Sequence, residues 1–288
     1  MASMLNMCRF SKKFNINLNR NLIRMFTDFT NPDFNPDPFS STKLHSETKD
    51  NLQNDDDNTS QNTLYPEHIP TSIFQKVLLS IGSAAMAIAD PYRDDMVAVL
   101  GETTGYLALK NIHNKMLKDP EGQAILRDKP RINSQTIDLR FLQKLPDGTL
   151  GHAYFSFLSK NKVSPDTRQP VHFVDNVELA YVMQRYREVH DLIHAMLNMP
   201  INMMGEVVVK WIEGIQTGLP MCIAGGVFGP IRFTRSQRQK YLRTYLPWAL
   251  ECSYKAKFFM NVYYEQRWEQ PLEDLYKELN ILTPPTFK

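Results

Sequence analysis

The chain has 288 residues, a formal charge of +2 from 33 Lys and Arg against 31 Asp and Glu, and 42% hydrophobic residues. That length allows one large domain or two small ones, and the apolar share is enough for a substantial core. The near balance of charge gives no argument for a nucleic-acid partner. The three cysteines, Cys8, Cys222 and Cys252, have no paired spacing, which argues against a disulfide framework and for a reducing compartment.

The first 27 residues differ in kind from the rest. Arg9, Lys12, Lys13, Arg20 and Arg24 precede the first acid, Asp28, and Phe10, Phe14, Leu18 and Leu22 recur among them at helical spacing. A basic, acid-free amphipathic start is the pattern of a mitochondrial transit peptide, and no continuous apolar stretch fits a secretory signal. Residues 1–27 are therefore predicted to be a transit peptide, with cleavage after Phe26 in Arg24-Met25-Phe26. Losing those five bases takes the charge from +2 to −3, so the mature chain is slightly acidic. Residues 28–63 are polar, proline-dotted and end in Asp55-Asp56-Asp57 with few groups to bury, which predicts a disordered linker.

Residues 64–288 read as a single compact multi-helix domain. Ile73 to Ala89 is almost uncharged, but at the short limit for a membrane span and diluted by Gly82, Ser83, Ala84 and Ala85. It is predicted to be a buried helix; a second reading has its small residues leave a groove for a lipid chain. Arg93 to Lys118 reads as a helix softened at Gly101 and Gly105, and Pro120-Glu121-Gly122 opens a short one. Ser134 to Leu145 is amphipathic and stopped by Pro146-Asp147-Gly148, and Tyr154, Phe157 and Leu158 continue at helical spacing. Asp175 with Glu178 predicts a capping box for the next helix. Pro200 fits the first position of the one after, which Gly218 and Pro220 end. Ser236 with Gln239 predicts a cap before a long helix through Tyr241, Tyr245 and Trp248. Alternating strand patterns are scarce and no repeat is evident, so the fold class is all-α.

The most informative constellation is His190-Asp-Leu-Ile-His194, then eleven residues, then Glu206. On a helix turning about 100° per residue, His190 and His194 share a face, and Asp191 lies within reach of the same ion. Glu206 then arrives from the next helix. Two nitrogen and two oxygen ligands suit Zn2+, with Fe or Mn also compatible. The same spacing fits two histidines on an ordinary amphipathic helix. No Glu stands between the histidines as it does in the zincin motif, which argues against peptide hydrolysis by that route. Arg187 shares this face, either to hold a substrate carboxylate or to pair with Asp191. Met183, Met196, Met199, Met203 and Met204 gather nearby, as core packing or as an adaptable wall for an apolar ligand. The run Arg232, Arg235, Arg238, Lys240, Arg243 reads as a solvated helix face, or as a contact for anionic lipid.

The stretch Glu178-Leu-Ala-Tyr-Val-Met-Gln-Arg-Tyr-Arg-Glu-Val-His-Asp-Leu-Ile-His194 resembles the family of the fourth protein of the coenzyme Q (ubiquinone) biosynthesis series. So do Gly205-Glu-Val-Val-Val-Lys-Trp-Ile-Glu213, Gln216-Thr-Gly-Leu-Pro-Met-Cys222 and Phe228-Gly-Pro230, and more loosely Arg127-Asp-Lys-Pro-Arg131 and Leu145-Pro146. The resemblance runs from about Leu64 to near the C-terminus. It implies an all-α, metal-binding domain whose ligands carry over as His190, Asp191, His194 and Glu206. It also implies a mitochondrial protein, peripheral on the matrix side of the inner membrane, in a complex with other coenzyme Q biosynthesis proteins. The implied activity is C1-decarboxylation of 4-hydroxy-3-methoxy-5-polyprenylbenzoate, simple or oxidative. Two proton sources suit it, water at the ion and an acid such as Glu213, which falls two turns after Glu206 and reads equally as an exposed surface group. The alternative is a non-catalytic scaffold that binds polyprenyl lipid intermediates. A hydrolase of the His-Asp metal class is a third reading, for which no second ligand cluster is evident.

Overall fold

The computed structural model describes residues 63–90 and 93–286, all within the unit spanning Thr59–Lys288. The transit-peptide expectation and all but the last residue of the predicted linker lie outside the described residues. Twelve α-helices are found among the described residues, together with short 3-10 turns and one π turn, and no strand; an isolated antiparallel bridge joins Thr149 to Pro271. The all-α expectation holds.

Helix α1 (Ile73–Ala89) opens on a capping box between Ser72 and Gln75. The prediction that it is buried is overturned. Of its described side chains only Ser83 is buried, while Ile73 is 84% exposed, Phe74 76% and Ile81 64%. The segment packs one face on α2 (Asp94–Thr104) and turns its apolar remainder outward. Among the described residues no helix is long and apolar enough to cross a membrane.

The single helix expected over Arg93–Lys118 is two, α2 and α3 (Tyr106–Met116), divided at Gly105. A Cβ there would meet the Gly101 carbonyl oxygen at 2.3 Å, so the break needs glycine. It lets α2 pack on α1 while α3 packs on the central helix. Asp119 caps α4 (Pro120–Asp128), as the Pro-Glu-Gly signal anticipates. Helix α5 (Leu139–Lys144) is shorter than expected because Asp138 caps it and Asn133 holds residues 133–136 in a turn. Helix α6 (Leu150–Asn161) follows from Thr149.

The long central helix is α7 (Val177–Met196). Its cap is Asn176, which accepts from the Leu179 N–H, and not Asp175. Asp175 is taken by Lys76 and by His68 at 3.0 Å, and Glu178 by Lys129 at 2.5 Å, so the expected capping box does not form. Pro200 lies outside the next helix, α8 (Met203–Thr217), which Asn202 caps. Asn198 turns the chain at φ 50, and a Cβ on Gly205 would lie 1.9 Å from the Pro200 oxygen, so Gly205 lets α8 start tight against that turn. Gly218 ends α8 at φ 74, and Pro220 opens α9 (Pro220–Phe228).

The cap expected at Ser236 is at Thr234, with Gln237 completing the box of α10 (Arg235–Lys240). The long helix predicted beyond it is interrupted by a π turn over Tyr241–Tyr245 before α11 (Leu246–Lys255). Pro247 near the start of α11 supplies no backbone N–H, a reason for the wider turn. Helix α12 (Leu272–Leu279) is the last. Met183, Met196, Met199 and Met204 are buried in the core and Met203 packs against it, so the methionine cluster is packing.

Of the 20 residues of α7, 17 are buried, so every charge it carries must find a partner inside the protein. Arg185 pairs with Glu265, and Arg187 with Glu102 at 2.5 Å. Glu188 takes Arg131 at 2.7 Å and the Ile132 N–H at 2.9 Å. Asp191 faces Arg168, and His190 faces Glu213.

Candidate metal centre

His190 and His194 project from the last two turns of α7, their ring planes at 87° and centroids 4.7 Å apart. Glu206, in the first turn of α8, stands opposite both. Its Oε2 is 3.5 Å from His190 Nε2 and its Oε1 3.4 Å from His194 Nε2. The ligand atoms of the three residues lie within 4.8 Å of one another, the span a single ion covers.

The far side of each imidazole is also held. His194 Nδ1 is 3.0 Å from the Met199 carbonyl oxygen, which can only accept, so Nδ1 carries the proton. Nε2 then presents a lone pair toward Glu206, buried and without a hydrogen-bond partner. His190 Nδ1 donates to Glu213 Oε1 at 2.6 Å. An orphaned, buried imidazole nitrogen opposite a carboxylate, with both rings steadied at the other nitrogen, is the donor set of a divalent cation. The residues present fit one.

Charges around the centre are arranged in pairs. Burial pushes the Glu213 carboxyl up, but His190 and Lys210 outweigh it and hold the group far below the usual carboxylate range. Burial likewise raises Glu206, and the charge of the two imidazoles in their protonated form brings it well below. Lys210 Nζ donates to Glu213 at 2.9 Å and to the Tyr186 hydroxyl at 2.9 Å, while that hydroxyl donates to Glu213 at 2.7 Å. Burial above all pushes the Cys222 thiol, 3.0 Å from Tyr186, up to about 12, which leaves it protonated.

The structure thus gathers three of the four predicted ligands. Asp191 does not join them; its carboxylate is taken by Arg168 through Nη2 and, at 3.2 Å, through Nε. Arg187 belongs to neither of its expected roles. It binds Glu102 and the carbonyls of Ala98, Gln169 and Pro170, because its side chain leaves α7 toward α2. Glu213 is neither an exposed surface group nor a ready acid; it is a buried carboxylate spent on His190 and Lys210. Arg168 was missed, since it sits in a loop after a 3-10 turn with no periodic signal.

An all-α domain with a candidate two-histidine, one-carboxylate metal centre is what the fold and site define. The chain belongs to the coenzyme Q (ubiquinone) biosynthesis protein Coq4 family, whose model matches residues 65–285. Its relatives include the mitochondrial ubiquinone biosynthesis protein COQ4 homologs of Bos taurus, 58% identical over 77% of this chain and 84% of that one, and of Homo sapiens, 56% identical over the same shares. A solved structure of a ubiquinone biosynthesis protein candidate from Nostoc punctiforme covers 71% of this chain and 95% of its own, at 19% identity and a TM-score of 0.57, a likeness of fold. The family places the chain in ubiquinone biosynthesis, among mitochondrial homologues.

Proposed function

We propose that the chain is a metal-dependent carboxy-lyase that removes the C1 carboxylate of 4-hydroxy-3-methoxy-5-polyprenylbenzoate in ubiquinone biosynthesis. The observation that carries this reading is the buried, unpartnered His194 Nε2 aimed at Glu206. His190, His194 and Glu206 would hold the ion, Zn2+ by donor set, with Fe or Mn compatible. Asp191 would join as a fourth ligand only on leaving Arg168. When bound, the ion supplies Lewis acidity and a template for a carboxylate. The Met199 carbonyl and Glu213 fix the two imidazoles, so neither ring reorients as substrate arrives. The substrate loses carbon dioxide from C1 and a proton takes its place, restoring the aromatic ring.

The test is carbon dioxide release from a carboxyl-labelled, short-chain prenylated substrate by the chain loaded with and stripped of metal. Release by the loaded protein alone supports the reading, and an oxygen requirement would mark the oxidative variant. No release from folded, loaded protein, with partner proteins supplied, would sink it. In the proposed arrangement residues 1–27 are a transit peptide, 28–63 a linker and 64–288 the metal-binding domain.

The second reading is a scaffold for polyprenyl intermediates and other coenzyme Q biosynthesis proteins, and the exposed apolar face of α1 favours it. Ile73, Phe74, Val77, Leu78 and Ile81 form that stripe. The exposed Phe228 and Ile231 lie by Arg232, whose guanidinium donates to the Ala89 carbonyl at the end of α1 at 3.3 Å. An apolar stripe on a helix whose far end meets Arg232 suits an anionic bilayer and a peripheral place on the matrix side of the inner membrane. Changing Phe74 and Leu78 to Asp together is expected to lower vesicle partitioning roughly 100-fold or more, from about 1.5–3 kcal/mol per buried side chain. Co-sedimentation with anionic vesicles measures it, and unchanged binding would remove α1 from the contact.

A further inference from the structure

We propose that Tyr186 and Lys210 are positioning residues for the metal centre, acting through Glu213 on the orientation of His190. The inference rests on the metal reading of the centre and not on the reaction.

The centre is built on one face of α7 and one face of α8, and both faces continue past it. His190 and His194 are one turn apart on α7, and Tyr186 lies one turn before His190 in the same row. On α8 the turn after Glu206 brings Lys210, and the next brings Glu213. The pairing therefore steps back along α7 as it steps forward along α8. A second layer, Tyr186 with Lys210 and Glu213, adjoins the layer that holds His190, His194 and Glu206.

The second layer converges on one carboxylate. Glu213 Oε1 accepts from His190 Nδ1 at 2.6 Å. Its Oε2 accepts from the Tyr186 hydroxyl at 2.7 Å and from Lys210 Nζ at 2.9 Å, and the Cys222 thiol of α9 donates to the same oxygen at 3.7 Å. Lys210 Nζ also donates to the Tyr186 oxygen at 2.9 Å, so ammonium, hydroxyl and carboxylate close a triangle. A glutamate side chain has several rotamers to choose among, and a carboxylate whose Oε2 is held from α7, α8 and α9 is left with one. Oε1 is then fixed on the imidazole. With Nδ1 turned to Glu213, His190 Nε2 faces Glu206 Oε2 at 3.5 Å.

Packing holds the triangle in turn. The Glu213 side chain is 1% exposed and that of Lys210 16%. A Cβ on Gly225 would lie 3.3 Å from Lys210 Cγ, so α9 runs against the lysine stem and leaves it little room to swing. His194 has no share in this layer, since its Nδ1 is held by the Met199 carbonyl beyond the end of α7. The two imidazoles are oriented by separate devices, which makes His194 a control for His190.

The test uses the full chain and Zn2+, with affinity read by competition against a chromophoric chelator, fold by circular dichroism and imidazole N–H protons by NMR of the zinc-loaded protein. Lys210→Met is expected to weaken Zn2+ binding about 10-fold, the low end of the loss when a direct partner of a ligand is removed. Tyr186→Phe takes away one donor and no charge, so it keeps the test open if the lysine change impairs folding; about 3-fold weaker binding is expected. In both variants the His190 Nδ1 proton signal should shift or broaden while that of His194 stays in place. Lys210→Met combined with Glu213→Gln should bind within about 2-fold of Glu213→Gln alone, because the lysine acts only through that carboxylate. The inference is overturned if either folded variant binds Zn2+ as tightly as the wild type, or if the losses at Lys210 and Glu213 multiply. Equal changes at both histidines would also overturn it, as the mark of a core loosened throughout. A wild type that binds Zn2+ beside unaffected variants fells this inference alone, whereas a wild type that binds none fells the metal reading with it.

Discussion

Replacing His194 by Ala is expected to abolish metal binding and turnover while leaving the helical domain folded. The imidazole sits where α7 ends, its Nδ1 held by the Met199 carbonyl and its ring stacked on Phe157 with centroids 5.8 Å apart. His190 and Glu206 alone would remain to hold an ion, since of the nearby carboxylates Asp191 is bound to Arg168 and Glu213 to His190. Loss of a hydrogen-bonded neighbour of a metal ligand costs about 10- to 100-fold in affinity, and loss of the ligand itself costs more. The fold should survive, since the substitution removes one ring from a core spread over all the packed helices. Its cost in stability is about 3 kcal/mol or less, in the range for large-to-small core changes. Metal content after dialysis, carbon dioxide release and far-ultraviolet circular dichroism are the three readouts. A folded variant that binds no metal yet turns over would refute the catalytic role of the centre. A variant that unfolds only when metal is withheld would instead favour the scaffold reading, with the ion serving structure.

What the sequence made legible, and what it hid, follows from how α7 is packed. His190, His194 and Glu206 were readable because a helix fixes which residues share a face whatever surrounds it. Their partners were not readable, because a helix buried on every side has no polar face to show where each group points. Arg187 and His190 lie three residues apart, yet one reaches α2 and the other α8. Asp191 stands among the expected ligands, and what its place in the sequence does not show is the guanidinium that the loop carrying Arg168 brings against it. Helix α1 was misjudged for a different reason. An apolar segment of that length reads alike whether its neighbour is a core, a bilayer or another protein, and the neighbour is not in the segment. Helix starts were placed one to three residues off, with caps at Asp175 against Asn176 and Ser236 against Thr234, and a first helical residue at Pro200 against Met203. At the two caps another capping residue type stands within two positions, and side-chain partners choose between them, as Lys76 and His68 do by taking Asp175.

Replacing Arg185 by Met is expected to cost about 3–5 kcal/mol, the penalty for stranding one member of a buried ion pair. The Arg185 side chain is 0% exposed, and it grips Glu265, itself 16% exposed, with both terminal nitrogens. Its Nη2 also donates to the Val262 carbonyl at 3.1 Å, so one guanidinium ties the middle of α7 to the chain at Val262–Glu265. Its Nε is buried with no partner, so the pair carries a polar cost even when intact. That makes the double change Arg185→Met with Glu265→Gln informative. If the pair is roughly neutral relative to an uncharged replacement, the double variant should recover most of the loss. It should fall short of wild type by about 1–3 kcal/mol, the cost of leaving the Val262 carbonyl unpaired. Urea unfolding of metal-loaded protein gives these differences. Arg185 lies five residues before His190, about 140° away on the helix, so metal content at low denaturant should not change in either variant. A single variant that loses under 1 kcal/mol would mean that Glu265 swings to solvent when released. One that loses metal as well would mean that the Glu265 contact helps to set how far α7 reaches into the site.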